Sequence, residues 1–422
     1  MIKNIPYWSS NVERLRYKSI PVKSDCDAVI IGAGYTGLST AIKLAKAGKF
    51  VQVFDVAQVG SGASSLNAGI LSGNLRFSLK SLIESKGMKA GTEYYIEGIN
   101  ARKELQEFIK QECIECDLKY NGHFTGAMTI KDFDQMKYLA DFERKILSND
   151  IQILNRYDQH KVIQSEIYHG GTLRNDIGNI NPVKFLDGLL RVAISYGAVI
   201  HENTAIHNII DHRNVNTAAG HVKCDKIVVA TNAYDKTNNK WFRKIIIPIT
   251  SRIIATEPIS PEIMVKLMPR MGSFGEGKYM GKYYRPSPDG KRILLGGRDV
   301  LVGKNPYGAA KSLSNSLVKI FPELSNVKVE YHWAGKVGFT RKQMPSIFEK
   351  DGILYACGYC GSGTVWAPWI GTKVAQKVLK KHTQKTIFYS EPPQKIPLFN
   401  GRPWFLPFVI IWYSTLDWIK GR

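Results

Sequence analysis

Asp27-Ala-Val-Ile-Ile-Gly32-Ala33-Gly34-Tyr35-Thr36-Gly37, with its continuation to Val51-Gln-Val-Phe-Asp55, decides how this chain folds. The apolar run at 27–31 is too short for an ordinary helix and reads as a buried strand. Three glycines at G-x-G-x-x-G spacing follow, and Leu38, Ala41, Ile42 and Ala45 then recur at the helical period until Gly48. A second strand ends on Asp55, eighteen residues past Gly37. Gly32 allows the tight turn, Gly34 lets a pyrophosphate approach the backbone, and Gly37 lets the helix pack closely on the sheet. The amides of the turn Ala33 to Thr36 and the positive end of the helix suit phosphate, and Asp55 suits ribose hydroxyls. The motif alone does not separate FAD from NAD. No arginine follows Asp55, which disfavours a ligand with a 2′-phosphate.

Beyond Asp55 comes Gly60-Ser-Gly62-Ala63-Ser64-Ser65-Leu66-Asn67-Ala68-Gly69, too small and polar for core. Such residues let the backbone come close to a flat ring system and offer it amides and hydroxyls. Two later stretches repeat the logic of strand running into small-residue turn. Lys226-Ile-Val-Val-Ala230-Thr231-Asn232-Ala233 reads as a buried parallel strand whose carboxyl end faces the ligand. Ile353-Leu-Tyr-Ala-Cys357-Gly358-Tyr-Cys360-Gly361-Ser362-Gly363-Thr364 leads into a helix through Ile370, Val374, Ala375 and Val378.

The fold class expected is α/β, or α+β overall: a Rossmann-type nucleotide-binding domain with a second domain on a mostly antiparallel sheet. Residues 1–85, 180–240 and 336–390 are assigned to the first domain, 86–179 and 241–335 to the second, and 391–422 to a tail packed on the body. Residues 80–118 read as one or two amphipathic helices, 122–130 as a strand and 132–147 as a helix. Asn181-Pro182 caps another helix. Residues 199–210 and 221–230 read as a strand pair. The block 245–335 reads as mostly strand, with 245–249 and 251–256 as separate strands and a hairpin turning at Asp289-Gly290. Alternation puts Tyr283 and Arg285 on one face of that hairpin and Tyr284 on the other.

With 422 residues, two domains are the natural expectation. The formal charge of +22 is spread along the chain without a run of five or six, so it reads as a solvated face rather than a nucleic-acid site. Lys3, Glu13, Arg14, Arg16 and Lys18 precede any long apolar run, which is unlike a secretory signal, and the expected location is cytoplasmic. No transmembrane segment is expected, because no uncharged apolar stretch of eighteen residues occurs. The nearest, 403–419, contains Pro407 and Asp417 and reads as an element packed on the body, with a membrane-surface anchor as second reading. The six cysteines read as thiols. Cys113/Cys116 and Cys357/Cys360 have C-x-x-C spacing, but the pairs lie far apart and the first reads as helical, so no metal is expected.

The three glycine-rich turns, in this order and at these distances, resemble those of the FAD-dependent amine and amino-acid oxidoreductases of the D-amino-acid oxidase superfamily, most closely the gamma-glutamylputrescine oxidoreductase-like members. The likeness extends over the Tyr7-Trp8 lead-in, residues 62–69, Tyr283-Tyr284-Arg285, the 358–363 loop and a tail containing Tyr-x-x-Leu-Asp-Trp. It implies non-covalent FAD, removal of a hydride from the carbon next to an amine, hydrolysis of the resulting imine, and oxygen or another electron acceptor. It also implies residue roles: Gly32, Gly34 and Gly37 at the pyrophosphate, Asp55 at the adenosine ribose, and Ser64, Ser65, Asn67 and Gly69 along the flavin. Ile206 falls at the adenine, Ala230-Thr231 at the second turn, and Gly361-Ser362-Gly363 near the ring.

The chain also departs from the pattern. Leu66 and Ala68 stand where the family often has Arg and Gly. Trp333-Ala-Gly335 is followed by Lys336-Val337-Gly338, where members acting on alpha-amino acids tend to place a carboxylate-clamping arginine. That favours a gamma-glutamylputrescine-like amine over glycine or a D-amino acid, and no cysteine there supports a covalent flavin. Arg285 and Tyr283, with Tyr284, are the expected substrate contacts. RNA modification by a related flavin domain is a lower-ranked alternative.

Overall fold

The computed structural model describes residues 2–10, 12–18, 20–237, 239–298, 305–380 and 386–422. Two eight-stranded sheets organise them. The first runs Ser346–Lys350, Ile353–Cys357, Gly220–Val229, Asp25–Ile31, Val51–Phe54, Val199–His201, with the last five parallel and the first antiparallel. Residues 28–31 pair with Val51–Phe54 on one side and with 226–229 on the other. Helices Tyr35–Ala45 and Gly363–Val378 pack against each other over this sheet. A central parallel strand covered in this way reads as a continuous apolar run rather than an alternation. The two helices come close because Gly371 has no side chain; a Cβ there would stand 2.4 Å from the carbonyl oxygen of Thr36.

The second sheet runs Val329–Phe339, Ile247–Thr256, Ile293–Arg298, Tyr283–Pro286, Ser273–Glu276, His123–Gly126, Gly171–Arg174, Ile151–Leu154. Its pairings are antiparallel except for Ser273–Glu276 with His123–Gly126. Leu313 and Leu317 of helix Pro306–Ile320 share a core with Ile254, Tyr284 and Leu295 on one side of this sheet. Ser251, Ile253 and Tyr283 look out on the other side, toward the turn at 63–68.

Several boundaries differ from the sequence expectation. The block 245–335 contains helices Pro261–Leu267 and Pro306–Ile320. Their start signals were legible: the Ser260 hydroxyl accepts from the Ile263 amide at 3.4 Å, and Asn305 Oδ1 accepts from the Tyr307 amide at 3.0 Å. Residues 247–256 form one strand, since its ladder to Val329–Phe339 continues through Thr250. The strand expected at 122–130 stops at Gly126, because Thr129 caps helix Ile130–Leu147. Only Val199–His201 joins the parallel sheet; Asn203 turns with φ 50° and Ile206–Ile209 folds back on Asn214–Thr217. Helix Met88–Gln111 ends before Cys113, which is left-handed at φ 49°, so neither Cys113 nor Cys116 is helical. Among the described residues no three His, Cys, Asp or Glu side chains are grouped as metal ligands, and no helix is long and apolar enough to cross a membrane.

Candidate cofactor and substrate site

A cleft of about 380 Å³ opens at the carboxyl ends of Asp25–Ile31, Val51–Phe54 and Gly220–Val229. Gly32 turns with φ 103°, and a Cβ on Gly37 would stand 1.9 Å from the Gly32 carbonyl oxygen, so this turn and helix meet only through glycine. Gly34 is the N-cap of helix Tyr35–Ala45 and has no side chain to satisfy its amides, which leaves the helix end suited to an anion. Tyr35 and Thr36 line the cleft, but their hydroxyls are committed to the scaffold, on Pro182 O at 2.9 Å and Tyr359 Oη at 2.6 Å. Asp55 accepts from the amides of Ala33 at 2.9 Å and Ala57 at 3.1 Å. Its carboxyl also borders the cleft, and burial raises its pKa. Gly37 and Ala33 thus act from behind the wall. Ile206, Ala230 and Thr231 lie on the wall itself.

Residues 62–69 carry the cleft into a second cavity of about 400 Å³. Gly62 and Ser64 line the cleft, Ala68 lines the second cavity, and Ala63 and Asn67 line both. The Ser64 hydroxyl accepts from the Tyr35 amide at 3.0 Å. Ser65 turns inward and donates to the Gly60 and Gly62 carbonyls. The Asn67 amide donates to Ala63 O and Ser64 O, both at 3.0 Å, and accepts from Gly69 N at 2.8 Å, so it shapes the turn. Gly69, at φ 72°, fits against Ile180, whose carbonyl oxygen would meet a Cβ at 2.1 Å.

Three side chains grip the carbonyls of this segment. Trp333 Nε1 donates to Leu66 O at 3.0 Å and Trp8 Nε1 to Asn67 O at 3.0 Å. Arg285 Nη1 donates to Ala68 O at 3.2 Å, Gly69 O at 3.4 Å and Ile180 O at 2.8 Å. Arg285 is buried, and loss of water brings its guanidinium down to about 10. It therefore lies on the peptide behind the cavity rather than in it. Tyr284 is in the core of the second sheet, with its hydroxyl 2.8 Å from that of Tyr168 and its ring stacked on Phe274. Tyr283 does line the second cavity, and its hydroxyl lies 2.9 Å from Ser251 Oγ.

The third glycine turn closes the junction. Gly361 and Thr364 line both spaces, Gly363 the cleft, and Ser362 the second cavity. Gly361, at φ 105°, has open space where a Cβ would be. Gly358 is a supporting residue: its amide donates to Asn232 Oδ1 at 3.1 Å, and a Cβ would press on Thr340 at 2.5 Å. Cys360 is buried, and its thiol is pushed up to about 12.

The sequence reading did not single out Arg76 or Arg298 of the second cavity. Arg298 ends strand Ile293–Arg298 at the cavity, with Nη2 3.4 Å from Tyr279 O. Burial and nearby Arg76, also in the wall, lower its pKa to about 10. Lys336 stands at the junction, and among the described residues the lining of the second cavity contains no acid. His123 Nδ1 lies 2.9 Å from Ser273 Oγ; burial and then Arg174 lower its pKa to about 4, so the ring is neutral. The Gly296-Gly297-Arg298 ending was visible in the text, but its direction depends on pairing with Ile247–Thr256.

These features fit FAD: a helix end with a glycine N-cap for phosphate, Asp55 in the cleft wall, and bare Gly361 where two cavities meet. The family model described as FAD dependent oxidoreductase (DAO) matches residues 27–377. Gamma-glutamylputrescine oxidoreductase of Escherichia coli (strain K12) is 28% identical over 401 residues, 93% of each chain. Probable oxidoreductase OrdL of Rhizobium meliloti (strain 1021) is 27% identical over 421 residues, 97% of this chain and 96% of that one. Among solved structures, glycine oxidase from Geobacillus kaustophilus has the same fold, with a TM-score of 0.72 at 20% identity over 86% of this chain and 96% of that one.

Proposed function

This chain belongs to the DAO family of FAD-dependent oxidoreductases, and we propose that it oxidises the C–N bond of an amine that also carries a carboxylate, as gamma-glutamylputrescine does. When bound, FAD supplies the electron sink that accepts a hydride from the carbon next to nitrogen. The protein's part is positioning and charge. The glycine turns and Asp55 hold the nucleotide, while Tyr283 and neutral His123 border the substrate. The observation that carries the reading is a wall that, among the described residues, holds Arg76, Arg298 and Lys336 and no acid. A carboxylate meets attraction there, whereas a simple diamine, doubly cationic at neutral pH, meets repulsion. The amine reacts in its neutral form, and water hydrolyses the imine.

The test is anaerobic bleaching of the purified flavoprotein with gamma-glutamylputrescine, putrescine, sarcosine, glycine and D-amino acids. Gamma-glutamylputrescine should bleach it fastest and putrescine should fail. Bleaching by putrescine but by none of the carboxylate-bearing amines would refute the reading. Colour returning with oxygen uptake on admission of air would identify oxygen as acceptor; colour returning only with an added dye would identify another.

A further inference from the structure

The C-terminal helix Leu406–Ile419 has two opposite faces, and one is spoken for. Ile410 is buried, Tyr413 stacks on Tyr279 with ring centroids 5.1 Å apart, and Asp417 accepts from the amides of Tyr279 at 3.0 Å and Met280 at 2.8 Å. Beyond the helix, Arg422 pairs with Asp132. The helix is thus fixed to the body over the segment that leads into the second cavity, where Gly281 is a lining residue.

The other face is apolar and bare. Phe408, Ile411, Trp412, Trp418 and Ile419 are 67%, 49%, 60%, 79% and 66% exposed. At 3.6 residues per turn they share an arc of about 120°, with Thr415 the polar residue among them. Trp404 and Leu398 extend the surface at the amino end, 56% and 87% exposed, joined by a bond from Trp404 Nε1 to Leu398 O at 3.1 Å. So much contiguous aromatic surface on one helix is more than a soluble surface ordinarily shows.

Charge decides the occupant. Exposed Lys395 and Arg402 precede the helix and exposed Lys420 follows it, its ammonium 5.2 Å from the Tyr279 ring centroid, while the acids of 391–422 are Glu391 and the buried, hydrogen-bonded Asp417. The whole chain carries +22, so a second copy brought to this face would be repelled. We propose that this helix lies on an anionic phospholipid bilayer, with its Trp and Phe side chains in the headgroup and acyl boundary and its basic residues against lipid phosphates. Tryptophan suits that boundary, since its ring is apolar and its N–H can stay hydrated. An interfacial helix needs the apolar face and the basic flank rather than spanning length.

The experiment is co-sedimentation of the full-length, flavin-loaded protein with vesicles of phosphatidylcholine alone or mixed with phosphatidylglycerol. Binding is expected to the mixed vesicles, weakening with salt, and Phe408→Glu with Trp412→Glu should reduce it at least about tenfold. Visible absorbance and melting temperature should stay as in the parent. Trp412→Ser with Trp418→Ser, which adds no charge, should weaken binding in the same direction and guards against a folding defect in the first pair. Failure to bind mixed vesicles, equal binding to the neutral ones, or binding untouched by either pair would overturn the proposal. So would a dimer, in the absence of lipid, that these substitutions convert to monomer.

Discussion

The nucleotide cleft and the cavity beyond it share six lining residues, yet they are made of different material. The cleft is mostly backbone: turns after three strands, where glycines hold positive φ or admit a neighbouring carbonyl within van der Waals range. The second cavity is mostly side chain, with Arg76, His123, Ser251, Tyr283 and Arg298 brought in from segments far apart in sequence. Where that backbone is in close contact, as at Gly37 and Gly69, there is no room for a Cβ, and adding one displaces the turn as a whole. A site of side chains tolerates substitution and answers with altered specificity.

The largest effect expected from this contrast is at Gly37. Alanine there would put a carbon 1.9 Å from Gly32 O, and backbone has to move on one side or the other. Gly37→Ala should lose about 3 kcal/mol of stability and its bound flavin, seen as lost visible absorbance and a lower melting temperature. A yellow variant melting like the parent would show that this close approach does not make the cleft.

Arg285 tests the border between the two materials. It projects from the substrate sheet, yet its hydrogen bonds go to the backbone beside the cofactor turn. Arg285→Met keeps the bulk and strands carbonyls, so it should cost about 2 kcal/mol and weaken flavin retention. An unchanged melting temperature with a raised KM would instead return Arg285 to the substrate-contact role that its place in the hairpin suggested.

That residue also marks how far the text could be read. Glycine spacing encodes backbone geometry locally, so the cleft was legible from 27–37, 62–69, 230–231 and 358–364. Period-two alternation correctly separated Tyr283 from Tyr284, which are 2% or less exposed in one case and cavity-facing in the other. What alternation cannot encode is what lies opposite a face. Arg285 shares its side of the sheet with Tyr283, but meets the 68–69 peptide because of how the first sheet docks. Arg76 and Arg298 become neighbours only through that same docking, which no local pattern records.

Arg298 sharpens the contrast from the other direction. It borders open space and, among the described residues, bonds to no carboxylate. Arg298→Gln should therefore leave the fold nearly as stable, while raising KM for a carboxylate-bearing amine about 10- to 100-fold through loss of a charge-assisted hydrogen bond. Steady-state kinetics beside a thermal melt separate the two effects. A variant with unchanged KM would move the carboxylate site elsewhere in the cavity.

The smallest effect concerns His123, where the side-chain cavity behaves like core. Burial, then Arg174, hold its ring at about 4 in the folded protein against an ordinary 6.5. Between those values the unfolded chain binds a proton that the folded chain does not. Stability from this group is therefore complete above about pH 6.5 and declines as pH falls toward 4. Because the half-buried ring retains some contact with water, the loss should be about 1 to 2 kcal/mol, read as a falling melting temperature across that window. His123→Gln should flatten the decline. The same neutrality means that kcat/KM carries no histidine step near pH 6.5, and a step there that vanished in His123→Gln would place a protonated imidazole in the reaction and end the assignment of this residue as neutral wall.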